Sequence, residues 1–139
     1  MSVEAEIEGY IASLPAAKGA EVRALHARVL GLAARARLWF LDGRDESGKI
    51  VSNPNIGYGS RVHTAGGKSR EFYRVGISAN SSGISLYVMG IEDKSLLRER
   101  FGERIGKASV TGYCVKFKRV ADIDLGVFDE VVRFGLEGM

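Results

Sequence analysis

Residues 102–107 read Gly-Glu-Arg-Ile-Gly-Lys, two glycines and a lysine at nearly the spacing that cradles phosphate. A phosphate loop needs four residues between its glycines, Ser or Thr after the lysine, and a strand before a helix, so that backbone N–H groups converge on the anion. Here three residues intervene, Ala108 follows Lys107, and the surrounding pattern runs from helix to strand. The spacing excludes a phosphate loop. Gly57-Tyr58-Gly59 lacks the third glycine of a dinucleotide fingerprint and lies inside an alternating strand pattern. Its glycines mark a bulge or a close backbone approach instead.

Cys114 is the only cysteine. A nucleophilic thiol needs a histidine partner and a lowered pKa, and His26 and His63 are the two histidines on offer. Its neighbours Tyr113 and Val115 favour a packed small hydrophobe. One Cys and two His without close spacing make a poor zinc set. No catalytic residue is assigned. Carboxylates are more numerous: Asp42, Asp45 and Glu46 in one loop, then Glu92, Asp93, Asp122 and Asp124. The last four are the candidate metal ligands, oxygen donors suited to loosely held iron, although helix capping accounts for each of them separately. Arg61, Lys68, Arg70, Arg74 and Lys107 offer positive charge to a phosphate. No recognisable RNA-binding pattern of exposed aromatics accompanies them, so nucleic acid is not the expected partner. Trp39, Tyr58, Tyr73 and Tyr87 are candidates to line a pocket between a loop and a sheet, although core packing is the commoner use of most such residues. Trp39, Tyr58, His63 and Cys114 are the set from which a small-molecule site, binding or enzymatic, would be built.

These side chains need elements to hold them. Val3 to Leu14 is a predicted helix with Ser2 as its N-cap and Pro15 as its end, and Ala20 to about Ala36 forms a second. Leu38 to Leu41 is a short apolar run, and the polar segment from Gly43 to Pro54 is a loop. Ile56 to Thr64, Glu71 to Ala79 and Ile84 to Val88 alternate as three strands of an antiparallel meander. The alternation puts Tyr58 and Val62 on one face of the first, and Tyr73, Val75 and Ile77 together on the second. A short helix follows Ser95 and ends at Gly102. A fourth strand, with Tyr113, Val115 and Phe117 on one side and Cys114, Lys116 and Lys118 on the other, belongs inside the sheet. Asp124 caps a final helix striped by Val127, Phe128, Val131, Val132 and Leu136. The fold class is α+β: one domain over residues 1–139, an antiparallel sheet with N-terminal helices and a C-terminal helix packed on it.

At 139 residues the chain buries enough surface to need no disulfide or metal for stability. A net charge of +3 is too small for an obligate nucleic-acid binder. A single cysteine, an acidic amphipathic start and no long apolar run lead to an expectation of a cytoplasmic protein with no membrane span. An antiparallel sheet leaves edges, through which two copies could pair as a homodimer.

The run Asn53-Pro-Asn-Ile-Gly-Tyr-Gly59, then Arg70-Glu-Phe-Tyr-Arg-Val-Gly76, then Ile84-Ser-Leu-Tyr87, is followed by Gly106-Lys107, Tyr113-Cys-Val-Lys-Phe-Lys-Arg119 and Asp122-Ile-Asp124. With Ile11-Ala-Ser-Leu-Pro15 in front, this order resembles the YdhG-like family of small bacterial proteins, a domain of unknown function, over nearly the whole chain. The resemblance implies a cytoplasmic α+β domain, a non-enzymatic binding or carrier module. Some members are described as frataxin-like iron chaperones, which makes iron the implied cargo. The chain departs from the family at Ala79 to Gly83, where many relatives carry a basic turn, and it lacks frataxin's dense acidic ridge, having only Glu4, Glu6 and Glu8 on its first helix.

Overall fold

The computed structural model describes residues 2–80, 82–91 and 93–137. Helix α1 spans Val3–Ser13, with the Ser2 hydroxyl accepting a hydrogen bond from the Ala5 amide at 3.1 Å. Ile7, Tyr10 and Ile11 are its buried face. Helix α2 runs Ala16–Leu32, earlier at both ends than its apolar stripe predicts. Pro15 opens this helix, because its fixed φ suits the position and no N–H is lost. Gly19, expected in a linker, is helical and buried, and a Cβ there would stand 3.0 Å from the Ile11 carbonyl. It lets α1 and α2 cross closely.

The strands are β1 Leu38–Leu41, β2 Asn55–Tyr58, β3 Arg61–Ala65, β4 Lys68–Phe72, β5 Val75–Asn80, β6 Gly83–Val88, β7 Ser109–Thr111 and β8 Cys114–Phe117. Six of them form one antiparallel sheet in the order β1-β2-β5-β6-β8-β7, while β3 and β4 pair only with each other. The predicted strand Ile56 to Thr64 is therefore two strands. Gly59, at φ +76°, turns the chain out of the sheet after Tyr58. The predicted strand Glu71 to Ala79 divides likewise, and Arg74 N–H returns to the Tyr58 carbonyl at 3.0 Å. The hairpin thus leaves and re-enters at one point, and β2 pairs with β5 directly. β8, with Cys114, lies inside the sheet as expected, paired to β6 and β7. β7 itself is too short to leave a periodic signal.

Helix α3, Leu96–Phe101, and helix α4, Leu125–Glu137, complete the chain after a 3-10 turn at Val120–Asp122. Asp124 Oδ1 caps α4 by accepting from Val127 N–H. Helices α1, α2 and α4 lie on the sheet face that carries Ile56, Tyr58, Val75, Ile77, Ile84, Leu86, Val88 and Val115, all fully buried. Each such side chain contributes roughly 1.5–3 kcal/mol relative to exposure. The result is the α+β architecture expected, an antiparallel sheet with helices from both ends of the chain. Among the described residues, no helix is long and apolar enough to cross a membrane. The edge strands are β1 and β7.

Candidate functional site

The helix-free face of the sheet is unlike the other. Strand register lines up Trp39, Gly57, Gly76, Tyr87, Cys114 and Thr111 in one row across all six strands. Beside it runs a row of small polar and basic residues that includes Ser78, Ser85, Lys116 and Ser109. Tyr73 lies flat over the two central glycines. A Cβ at Gly57 would meet the Tyr73 ring at 2.4 Å, and one at Gly76 would meet it at 2.7 Å. Only glycine admits an aromatic ring this close to the backbone. Tyr73 therefore faces away from Val75 and Ile77, contrary to simple alternation, because the chain re-enters the sheet only at Arg74. Phe72 stacks on Tyr73 with ring centroids 4.3 Å apart, and Trp39 meets the Phe72 edge at 5.9 Å. This covered end is closed to ligands.

The other end is open. Tyr87 is half-buried and Tyr113 is 53% exposed, with their ring centroids 6.0 Å apart. Tyr113 was expected on the same side as Val115; it stands instead in the turn between β7 and β8, its carbonyl accepting from Val88 N–H. Tyr73, Tyr87, Tyr113 and Met89 wall a depression of about 200 Å³, which Ser52, Asn53 and Asn55 close. Burial pushes the Tyr73 phenol well up, helped by Tyr87, Tyr113 and Cys114 around it. Burial also raises Tyr87, against the opposing pull of the Ser85 and Ser78 hydroxyls. Both phenols are neutral donors at physiological pH.

Asn55 sets the polarity of this depression. Its side chain is 9% exposed, and its Nδ2 donates to the Asn53 carbonyl at 3.3 Å. Its Oδ1 is buried and accepts from nothing among the described residues. Leaving a buried acceptor unpaired costs about 1–3 kcal/mol; the Ser60 hydroxyl, outside the depression, is likewise without a partner among the described residues.

The sequence-derived candidates are distributed differently. Trp39 lies on the open face with its indole N–H on the Gly59 carbonyl at 2.8 Å, and His63 sits beside Phe72, its Nε2 3.4 Å from the Tyr73 carbonyl. Cys114 is on the same face, buried, and burial pushes its thiol up, the wrong direction for a nucleophile. Tyr58 is on the helix face, where its hydroxyl is 2.6 Å from His26 Nδ1. The four do not meet in one cleft. Of the candidate iron ligands, Glu92 lies outside the described residues. Asp93 Oδ1 accepts from both the amide and the hydroxyl of Ser95, which lowers its pKa. Asp122 stands 3.5 Å from Arg119, and Asp124 caps α4. Among the described residues no group of three or more His, Cys, Asp or Glu side chains is gathered for a metal. The basic set is also divided: Arg61 lies over Gly90, Arg74 donates to the Ser60 carbonyl, and Arg70 covers the Phe72 ring at 4.7 Å.

No family model, curated protein or solved structure matches the chain. The arrangement of side chains has to carry the functional reading. Tyr73 and Tyr87 were legible as pocket residues; Asn55 and Tyr113 were missed. The signal for Asn55 was the polar residues Asn55, Ser78 and Ser85 within strands otherwise apolar, which mark a second face; Tyr113, in a turn, left none.

Proposed function

We propose that this protein is a binding module that takes a small planar heterocycle bearing an N–H donor on the open face of its sheet. The observation that carries the reading is the depression walled by Tyr73, Tyr87 and Tyr113 and lined by Asn55, a residue whose buried Oδ1 has no partner among the described residues. Aromatic rings give a flat ligand its surface, and the lone acceptor gives it an orientation. The raised Cys114 thiol supports binding over nucleophilic catalysis. Membership of the YdhG-like group belongs to the same proposal and rests on the ordered run of residues quoted above. Iron carriage has no comparable support among the described side chains.

Titration of the protein with adenosine, guanosine and cytidine, three amino-bearing planar probes, followed by amide chemical shifts, tests the reading. At least one probe is expected to move the amides of Asn55, Tyr87, Met89 and Tyr113 saturably, and Tyr87→Ala to abolish the response. Spectra unchanged by all three at millimolar concentration would sink it.

A further inference from the structure

The same face gathers several lysines at its β8 end. Lys116 follows Cys114 by two residues on β8 and so points the same way, beside Ser85 and Ser109 in the register. Lys107, Ser109, Lys116, Lys118 and Arg119 line a second depression there, which Asp122 enters from one side. Arg119 is engaged by Asp122 at 3.5 Å, whereas Lys107, Lys116 and Lys118 have no ion-pair partner among the described residues. All three lysines are exposed. Three such lysines around one hollow create a local positive potential, which Asp122 partly offsets.

This hollow and the tyrosine depression share no lining residue, but strand register brings Lys116 of the one near Tyr87 of the other. Tyr87 stands directly opposite Cys114 and Ser85 directly opposite Lys116, so Lys116 is the diagonal neighbour of Tyr87, roughly 7–8 Å away. A lysine stem then reaches either toward Tyr87 or out over Ser109. Asn55 lies on the far side of the tyrosines, on β2, two strands from β6. The face therefore presents, in order, an acceptor for an N–H group, aromatic surfaces for a flat ring, and a cluster of cations. We propose, building on the binding function above, that the ligand is a nucleoside monophosphate. Its base stacks against Tyr87 and Tyr113 with an amino group toward Asn55, whose amide turns to present Oδ1, and its phosphate rests among Lys116, Lys118 and Lys107.

One nucleotide fits better than a strand. Binding a single strand needs successive stacking platforms along the backbone, and Tyr73, which would supply the next one, is sandwiched between two glycines and Phe72. Lysine suits a terminal phosphate as a mobile point charge, without the planar fork an arginine would impose.

The test compares adenosine, guanosine and cytidine with their 5′-monophosphates and with inorganic phosphate, by calorimetry on the full chain at low and at moderate salt. One nucleotide is expected to bind at least about tenfold tighter than its nucleoside, the effect of one charge-assisted contact. That advantage should shrink with salt and vanish in the double variant Lys116→Gln/Lys118→Gln, with nucleoside affinity unchanged. Both lysines are exposed, so the variant keeps its fold, checked by circular dichroism. Equal affinity for nucleoside and nucleotide overturns the phosphate site and leaves the planar-ligand reading standing. Inorganic phosphate binding as tightly as the nucleotides reduces the hollow to an anion patch and overturns the proposal. Binding of none of the probes overturns both readings.

Discussion

Gly57 and Gly76 are where the chain allows an aromatic ring to lie on a sheet. Their absent side chains and the Tyr73 ring occupy the same space, so each depends on the other. Gly57→Ala forces the ring up or the strands apart, an overpacking cost of about 1–3 kcal/mol. In a Tyr73→Ala background the ring contacts at 2.4 and 2.6 Å are gone and only the residue 73 Cβ at 2.7 Å remains, so the cost should fall without vanishing. A urea-unfolding double-mutant cycle measures this coupling; additive effects would show that Tyr73 does not rest on Gly57. The sequence displayed the glycines as a spacing anomaly and Tyr73 as a pocket candidate. It could not display their contact, because alternation counted from Val75 sends Tyr73 to the opposite face.

Helix α4 docks through a residue with no side chain. A Cβ at Gly135 would stand 2.6 Å from Val75 Cγ2 and 3.1 Å from Val88 Cγ1, both on fully buried strand residues. Gly135→Ala gains about 1 kcal/mol of helix propensity and loses about 1–3 kcal/mol to overpacking, so the net effect is destabilising. Gly9 on α1 is the control: it is exposed, and nothing stands within 4 Å of a Cβ there. Gly9→Ala should therefore stabilise by about 0.4–1 kcal/mol. Thermal melts of the two variants should move in opposite directions; shifts of the same sign would contradict the docking of α4. Helix existence and the apolar stripes were legible because burial repeats at the helical period. The hairpin loop Ala65-Gly66-Gly67-Lys68 was legible too, whereas the ends of α2 and the break of each long strand were not, since Pro15 and Gly59 act through backbone dihedrals that a hydrophobic pattern does not register.

The two layers are tied by a half-buried polar contact whose strength depends on pH. Tyr58 reaches through the core to His26 on α2, 2.6 Å away, and burial holds the phenol protonated, so it donates and the imidazole accepts. Burial also lowers the His26 pKa below its ordinary 6.5, with Glu8 opposing and Arg23 adding to the shift. The neutral ring belongs to the folded state and the protonated ring to the unfolded one. Stability is therefore full above about pH 6.5 and is lost as pH falls toward the depressed folded value, because the unfolded chain takes up the proton first. His26→Gln should flatten that slope between neutral and mildly acidic pH; denaturant midpoints measured across the range check it. An unchanged slope would mean that other groups set the acid limit. The fold class was legible from the order of elements, but the division of the sheet into a helix-covered face and a helix-free face was not, because it depends on which strands become neighbours.

Trp39, the single tryptophan, lies on the open face and not in the core between sheet and helices. Its indole lies under the Arg37 guanidinium at 4.0 Å and meets the edge of Phe72 on the hairpin. The protein thus carries an optical probe sited away from its main hydrophobic mass. Its emission reports the seating of the hairpin, whereas far-ultraviolet dichroism reports the helices. Where the two signals part company on heating or in denaturant, the difference is the free energy of lifting one hairpin from the sheet.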